Sequence, residues 1–439
     1  MTGPRVVDLH DGASLVAADA AALLPSAALA GAQIRSTAEQ LAGRPAFERP
    51  RAFVVIGGTA AVDAALLAAL LGDQSPAPVV PATMLPGWVG PLDIVVVLAG
   101  AVDDMAAAEA AAQAQRRGAR VVVRAAAEGP VAAAAGSALI EPQVSVVEAL
   151  AGPARLTVLT AVAAAAGLYP KPDFGAAADQ LDALAMACHP SSEFFVNPAL
   201  TLAEHLAAGT PLLIGTDPVA DALAAHAARS LAGLSGTAGA WLSSAQAAGS
   251  PPVLARATGR SVGESGQVTN DIFWDPYEDE SSTTQQISTV LVVGPTGQSP
   301  AVPLPGTGLL PEPIFGAGAA PSTVSPLVAA LESALPRALR IGPEEVPSTA
   351  VTEGEPGAGI GPRDAFSWTM AMLSRIDHAA VYVGLLTRAR APIDSPDGLG
   401  RPGRSVAHLP ATGGRPAWGD GREAWDDGRQ EEGESGSWS

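Results

Sequence analysis

The chain has 439 residues, 48% of them apolar and only 4% aromatic, and a formal net charge of −19. Its length exceeds one typical hydrophobic core and predicts two domains, while the scarcity of aromatics favours Ala-, Val- and Leu-rich packing of helices on sheets over a β-sandwich. The acidity excludes a nucleic-acid footprint, which must be basic, and the single cysteine, Cys188, excludes a disulfide framework or a thiolate metal site.

The opening "MTGPRVVDLHDG" lacks the basic region and apolar run of a signal peptide. No stretch of about 20 strongly apolar residues reads as a membrane span, so a cytoplasmic chain without membrane partners is expected. Residues 1–50 read as helical, with apolar positions three and four apart in "SLVAADAAALL" and "STAEQLAG". A strand follows at "AFVVIG" (52–57), then Gly58 and Thr59, then the helix "AAVDAALLAALLG". Thr59 is placed to cap that helix and Gly72 to end it. The strand "DIVVVLAG" runs into Asp103 and Asp104, and a helix from about Asp104 to Arg117 stops at Gly118 before the strand "ARVVVRA". Strands and helices alternating at this spacing predict a doubly wound parallel sheet.

Residues 143–206 read as linking helices, including "LTVLTAVAAAAGL" and "NPALTLAEHLAAG". "TPLLIG" (210–215) then opens a second series with the helix "PVADALAAHAARSLAGL" and later strands at "TVLVVG" and "ALRIG". A Pro/Gly-rich stretch between those strands reads as a long loop, and "DAFSWTMAMLSRIDHAAVYVGLLTRA" as a C-terminal helix. After Pro392 the Gly-, Ser- and charge-rich tail has too little apolar surface to offset its chain entropy, and is expected to be disordered. The expected organisation is an N-terminal helical segment (1–50), a first βα domain (51–142), linking helices (143–206), a second βα domain with the closing helix (207–393) and the tail (394–439). A ligand site is expected at the carboxyl ends of the strands.

The segments "VVIGGTAAVDAALLAALLG", "MLPGWVGPLDIVVVLAG" and "RRGARVVV" together resemble the first half of a sugar isomerase (SIS) domain. "NPALTLAEHLAAGTPLLIG" is similar to the entry into the second SIS domain of bifunctional phosphoglucose/phosphomannose isomerases, and "DHAAVYVGLLTRARAPID" to that family's closing helix. The resemblance runs through residues 1–393 as an ordered series of segments. It implies two SIS-type doubly wound parallel-sheet domains, a homodimer, and aldose–ketose isomerisation of glucose 6-phosphate and mannose 6-phosphate without metal or other cofactor. That chemistry moves a proton between C1 and C2 through an enediol; it requires a carboxylate base, a cation beside the enediolate and a phosphate cradle.

The resemblance assigns the first phosphate element to Gly57, Gly58 and Thr59, where glycines admit an anion to the N-terminus of a helix. Helix capping accounts equally well for Thr59. "GGTAAV" lacks the spaced glycines of a dinucleotide fingerprint. The family's hydroxyl-rich loop, S-Y-S-G-N-T, falls on residues 99–104. Here Ala99 and Ala101 replace the serines, Asp103 the asparagine and Asp104 the threonine. The phosphate loop is therefore degenerate, and Asp104 also suits a helix cap. Arg155 in "GPARLTVL" matches the family's enediolate-stabilising arginine, or is an interdomain arginine. The nearest carboxylates to the family's base and its P-E-x-N-H-N segment are Glu264, and Asp275, Glu278 and Asp279; an exposed acidic loop is the plainer reading of that stretch. No His lies between His226 and His378, and the only lysine is Lys171, so the family's histidine and C-terminal lysine have no counterparts. Two functions are thus expected: an isomerase with altered site residues, or a non-catalytic SIS protein that binds a sugar derivative.

Overall fold

A computed structural model describes residues 7–44, 46–258, 287–294, 326–342 and 362–390. The acidic segment with Glu264, Asp275, Glu278 and Asp279, the Pro/Gly-rich loop and the tail lie outside the described residues. The chain from Met1 to Ala391 forms one compact unit.

Three helices come first, α1 (Gly12–Ala18), α2 (Leu23–Ala28) and α3 (Ala30–Ala42). The first sheet follows from β1 (Phe53–Ile56), α4 (Ala60–Leu71), β2 (Val79–Ala82), β3 (Ile94–Leu98), α5 (Met105–Arg116), β4 (Arg120–Arg124), α6 (Pro130–Ala135) and β5 (Leu139–Ile140). Its order is β2-β1-β3-β4-β5 and every pairing is parallel. All residues of β1 and β3 are buried, as expected of strands covered on both faces by crossover helices. This is why both read as unbroken apolar runs.

Three helices join the sheets: α7 (Gly152–Ala165), α8 (Phe174–Ala187) and α9 (Pro198–Ala207). The second sheet is built from β6 (Thr210–Gly215), α10 (Pro218–Ser230), β7 (Ala240–Ser243), α11 (Ser244–Ala248), α12 (Pro251–Ala257), β8 (Ile287–Val292), α13 (Pro326–Ala334) and β9 (Leu339–Ile341). Its order is β7-β6-β8-β9, again parallel throughout. The last helix, α14 (Pro362–Arg390), closes the unit.

In each sheet the first strand sends the chain outward to an edge strand, β2 or β7, and the next strand returns on its other side. The strand order therefore reverses between β1 and β3 and between β6 and β8. Such reversals open a crevice at the carboxyl ends, where ligands of doubly wound sheets bind. The first helix of each series, α4 and α10, pack on each other, and α10 also packs on α14. One apolar core runs through both series, from Phe53 and Val55 to Leu213, Val290 and Phe366. Helix α14 is buried almost all round, from Ala365 to Leu386, so it is a central helix of the core. Edge strands β2 and β7 and the two-residue β5 are absent from the sequence reading; β2 contains Pro81, which a ladder tolerates at its edge. No helix among the described residues is long and apolar enough to cross a membrane.

Candidate functional site

The crevice between β1 and β3 is lined from one side by Gly57, Gly58 and Thr59 and from the other by the loop after Leu98. Gly57 has φ of +151°, and a Cβ there would collide with the carbonyl oxygen of Leu98. Only glycine lets the two strand ends approach this closely. Gly58 is exposed and nothing stands within 4 Å of where its Cβ would be. That empty space is the mouth of the corner.

Thr59 occupies the N-cap position of α4, but its hydroxyl makes no capping bond. It donates instead to the carboxylate of Asp63, one turn along the helix. Asp63 is buried, with 2% exposure. A buried carboxylate requires a partner, and Asp63 has Arg155, whose Nε lies 3.1 Å from Oδ2 and 3.4 Å from Oδ1. Arg155 stands on α7 at 1% exposure. Its Nη1 donates to Glu148, at 3.0 Å to Oε1 and 2.9 Å to the main-chain oxygen. Its Nη2 has no hydrogen-bond partner among the described residues. Burial alone would lower the Arg155 pKa, but Asp63 and Glu148 outweigh it and raise it above the ordinary value.

Glu148 lies in a short turn ahead of α7 and also pairs with Arg124, the last residue of β4, at 3.3 Å. Arg124 is 4% exposed and its pKa is lowered, chiefly by burial and partly offset by Glu148. The Glu148 side chain is 41% exposed. Its Cγ lies 3.3 Å from where a Cβ on Gly100 would stand. The result is a chain of polar contacts, Thr59–Asp63–Arg155–Glu148–Arg124, that links the end of β1 to the end of β4.

The structure thus brings Gly57, Gly58, Thr59 and Arg155 to one corner with the loop after β3. In that loop Ala99 is buried, Ala101 and Asp103 are exposed, and Asp104 caps α5 by accepting from the Ala107 amide at 2.9 Å. Neither alanine offers a hydroxyl to an anion. Glu264 and Glu278 lie outside the described residues. Asp63, Glu148 and Arg124 escaped the sequence reading, although Asp63 left a signal: it is the lone charge in "AAVDAALLAALL".

The corresponding corner of the second sheet carries two aspartates. Asp217 caps α10, accepting from the Ala220 amide at 2.8 Å, and a Cβ on Gly294 would collide with its carboxylate. Asp221, one turn on, is pushed up to about 6, first by burial and then by Asp217. Between the corners, His226 Nε2 lies 2.8 Å from Asp377 Oδ1, and Ser230 donates to the same oxygen at 2.7 Å. All three are buried and tie α10 to α14.

No family model matches the chain, and no curated protein matches it. Solved structures do. A hypothetical protein from Thermus thermophilus has a TM-score of 0.52 at 12% identity, covering 85% of this chain and 88% of that one. A candidate phosphosugar isomerase from Salmonella typhimurium gives 0.47 at 13% identity over 82% and 93%. The C-terminal domain of glucosamine-fructose-6-phosphate aminotransferase from Francisella tularensis gives 0.46 at 10% over 83% and 94%. At such identities the likeness is one of fold. The two reversing parallel sheets and the helices between them are the part of the chain that this likeness concerns.

Proposed function

We propose that this protein is a sugar-phosphate isomerase of the glucose 6-phosphate/mannose 6-phosphate type, with its sugar bound at the corner between β1 and β3. The observation that carries this reading is the run of contacts that starts at Thr59, beside the exposed Gly58 at one strand-order reversal, and passes through Asp63 to the guanidinium group of Arg155 and on through Glu148 to that of Arg124. A phosphosugar needs such a combination: room for backbone amides at a helix N-terminus and fixed positive charge close to the reacting carbons.

In this reading Gly57, Gly58 and Thr59 receive the phosphate, and Arg155 is the cation that faces the enediolate. The base that moves the proton between C1 and C2 comes from the acidic segment, at Glu264 or Glu278. Residues 51–142 and 207–393 are the two SIS domains, 143–206 link them, and the protein works in the cytoplasm as a homodimer. The alanines at 99 and 101 leave the phosphate with fewer donors than in the family's hydroxyl-rich loop, so weak substrate binding is expected. A coupled assay that follows fructose 6-phosphate formed from glucose 6-phosphate and from mannose 6-phosphate tests the proposal. Turnover above background with either sugar is expected; none with both, from folded protein, contradicts it.

A further inference from the structure

We propose that the face built by α1, the end of α8 and residues 189–196 is where two copies of this chain meet about a two-fold axis, with Phe195 of each copy seated in a groove of the other. The inference rests on the homodimer in the reading above and names the surface that forms it. The groove encloses about 740 Å³ between α1, with Val16, and residues 189–194, with Phe194. Phe195 stands beside it and is the most exposed large apolar side chain among the described residues, at 86%. Val16, Met186 and Val196 are exposed on the same face; the Met186 carbonyl accepts from the Ser192 hydroxyl at 3.2 Å. Apolar side chains exposed singly are ordinary. Four around one groove are the mark of an interaction surface.

The face is braced from within the chain. A Cβ on Gly12 would collide with the Pro190 carbonyl oxygen, so α1 lies directly against the segment. Asn197, the cap of α9, donates to the His189 carbonyl at 3.1 Å, and Tyr382 of α14 donates to that of Cys188 at 2.6 Å. His10, Phe194 and Phe195 form a row of rings, with centroids 4.1 Å and 5.4 Å apart. A side chain held this way loses little freedom on docking. A second copy is the occupant that this face fits. Projection and groove adjoin, so one two-fold rotation seats both projections in both grooves and closes the assembly. Charge agrees with that choice. Two chains of net charge −19 repel, yet the groove is lined by one carboxylate, Glu193, and two imidazoles, His10 and His189. His189 Nδ1 accepts from the Ser191 amide at 3.1 Å, which leaves Nε2 to carry the ring proton. Each copy thus offers both an acceptor and donors that a second copy can meet.

The test is analytical ultracentrifugation of the full chain and of Phe195→Asp. The substitution puts an unpaired carboxylate into each groove of the assembly. Wild type is expected to be a dimer, and the variant's dissociation constant to rise by about a hundredfold or more, as for the central side chain of an interface. An equally tight dimer in the variant overturns this face and leaves the homodimer standing. A monomeric wild type overturns both. Should the variant not fold, a photoreactive benzoylphenylalanine at position 195 decides, in a mixture of isotopically light and heavy chains. Light-to-heavy cross-links onto residues 9–17 or 189–194 support the proposal. Cross-links confined to single copies mean that another segment of the same chain fills the groove, and overturn it.

Discussion

Asp63 shows how one charge can organise a site. It sits alone in an Ala/Leu helix, buried against the sheet, and folding it there is tolerable only because Arg155 comes to meet it from α7. Arg155 then needs a second counter-charge, which Glu148 supplies. Asp221 is the contrasting case. Its Oδ1 is buried without a partner among the described residues, and Asp217 adds repulsion, so it keeps its proton up to about 6 against 3.8 for an ordinary carboxyl. Between those two values the folded state binds more protons than the unfolded one, so stability falls as pH rises from about 4 to about 6 and stays lower above that window. Asp221→Asn removes this titration. The group is partly exposed, and solvent screening reduces the effect to about 1 kcal/mol, or roughly 1–2 °C in Tm for a unit of this size. Thermal melts should show the variant more stable than wild type at pH 7 and equal to it at pH 4. A constant difference across that range would count against the assigned strain.

At the scale of elements, the strands legible in the sequence are the inner strands of the two sheets and one edge strand, β9. β1, β3, β4, β6 and β8 announce themselves as Val/Ile/Leu runs, because both sides of a parallel sheet are covered. β2, β5 and β7 were not legible: they are edge or two-residue strands whose pairing is supplied by a neighbour rather than by their own residues. The cap at Asp104 was legible, since Asp followed by an alanine-rich helix leaves little else for its side chain to do. Thr59 was ambiguous for a physical reason. Its hydroxyl can serve the helix end or a carboxylate one turn away, and only the burial of Asp63 decides. Helix α14 read as a closing helix, but its burial makes it central, and Gly384 lies at a close approach to Leu234. A Cβ there would lie 2.6 Å from the Leu234 carbonyl oxygen. Replacing a helical glycine by alanine ordinarily stabilises by about 1 kcal/mol. Here overpacking against a neighbouring backbone costs about 1–3 kcal/mol. Gly384→Ala is therefore expected to lower stability in denaturant titration by up to about 2 kcal/mol; a stabilised variant would mean that α14 does not pack against the Leu234 carbonyl.

Taken as a whole, the molecule repeats one arrangement: a strand, a helix, and a reversal of strand order that opens a corner. The two copies share a core through α4, α10 and α14, yet their corners differ. The second presents Asp217 and Asp221 close to backbone that only glycine allows. The first has the exposed Gly58 beside Thr59, which reaches the buried Asp63–Arg155 pair. The repeat was legible from the spacing of strands and helices. The difference between the corners was not, because Asp63 lies 92 residues from Arg155 along the chain and Arg124 lies 24 from Glu148, and no local pattern pairs them. The central claim is that the first corner holds the phosphosugar, and Gly58 offers the most direct test. Nothing lies within 4 Å of its missing side chain, so Gly58→Leu should fold normally and fill the mouth of the corner. Titration calorimetry with glucose 6-phosphate should give measurable binding to wild type and none to Gly58→Leu. Undiminished binding to the folded variant would contradict the account.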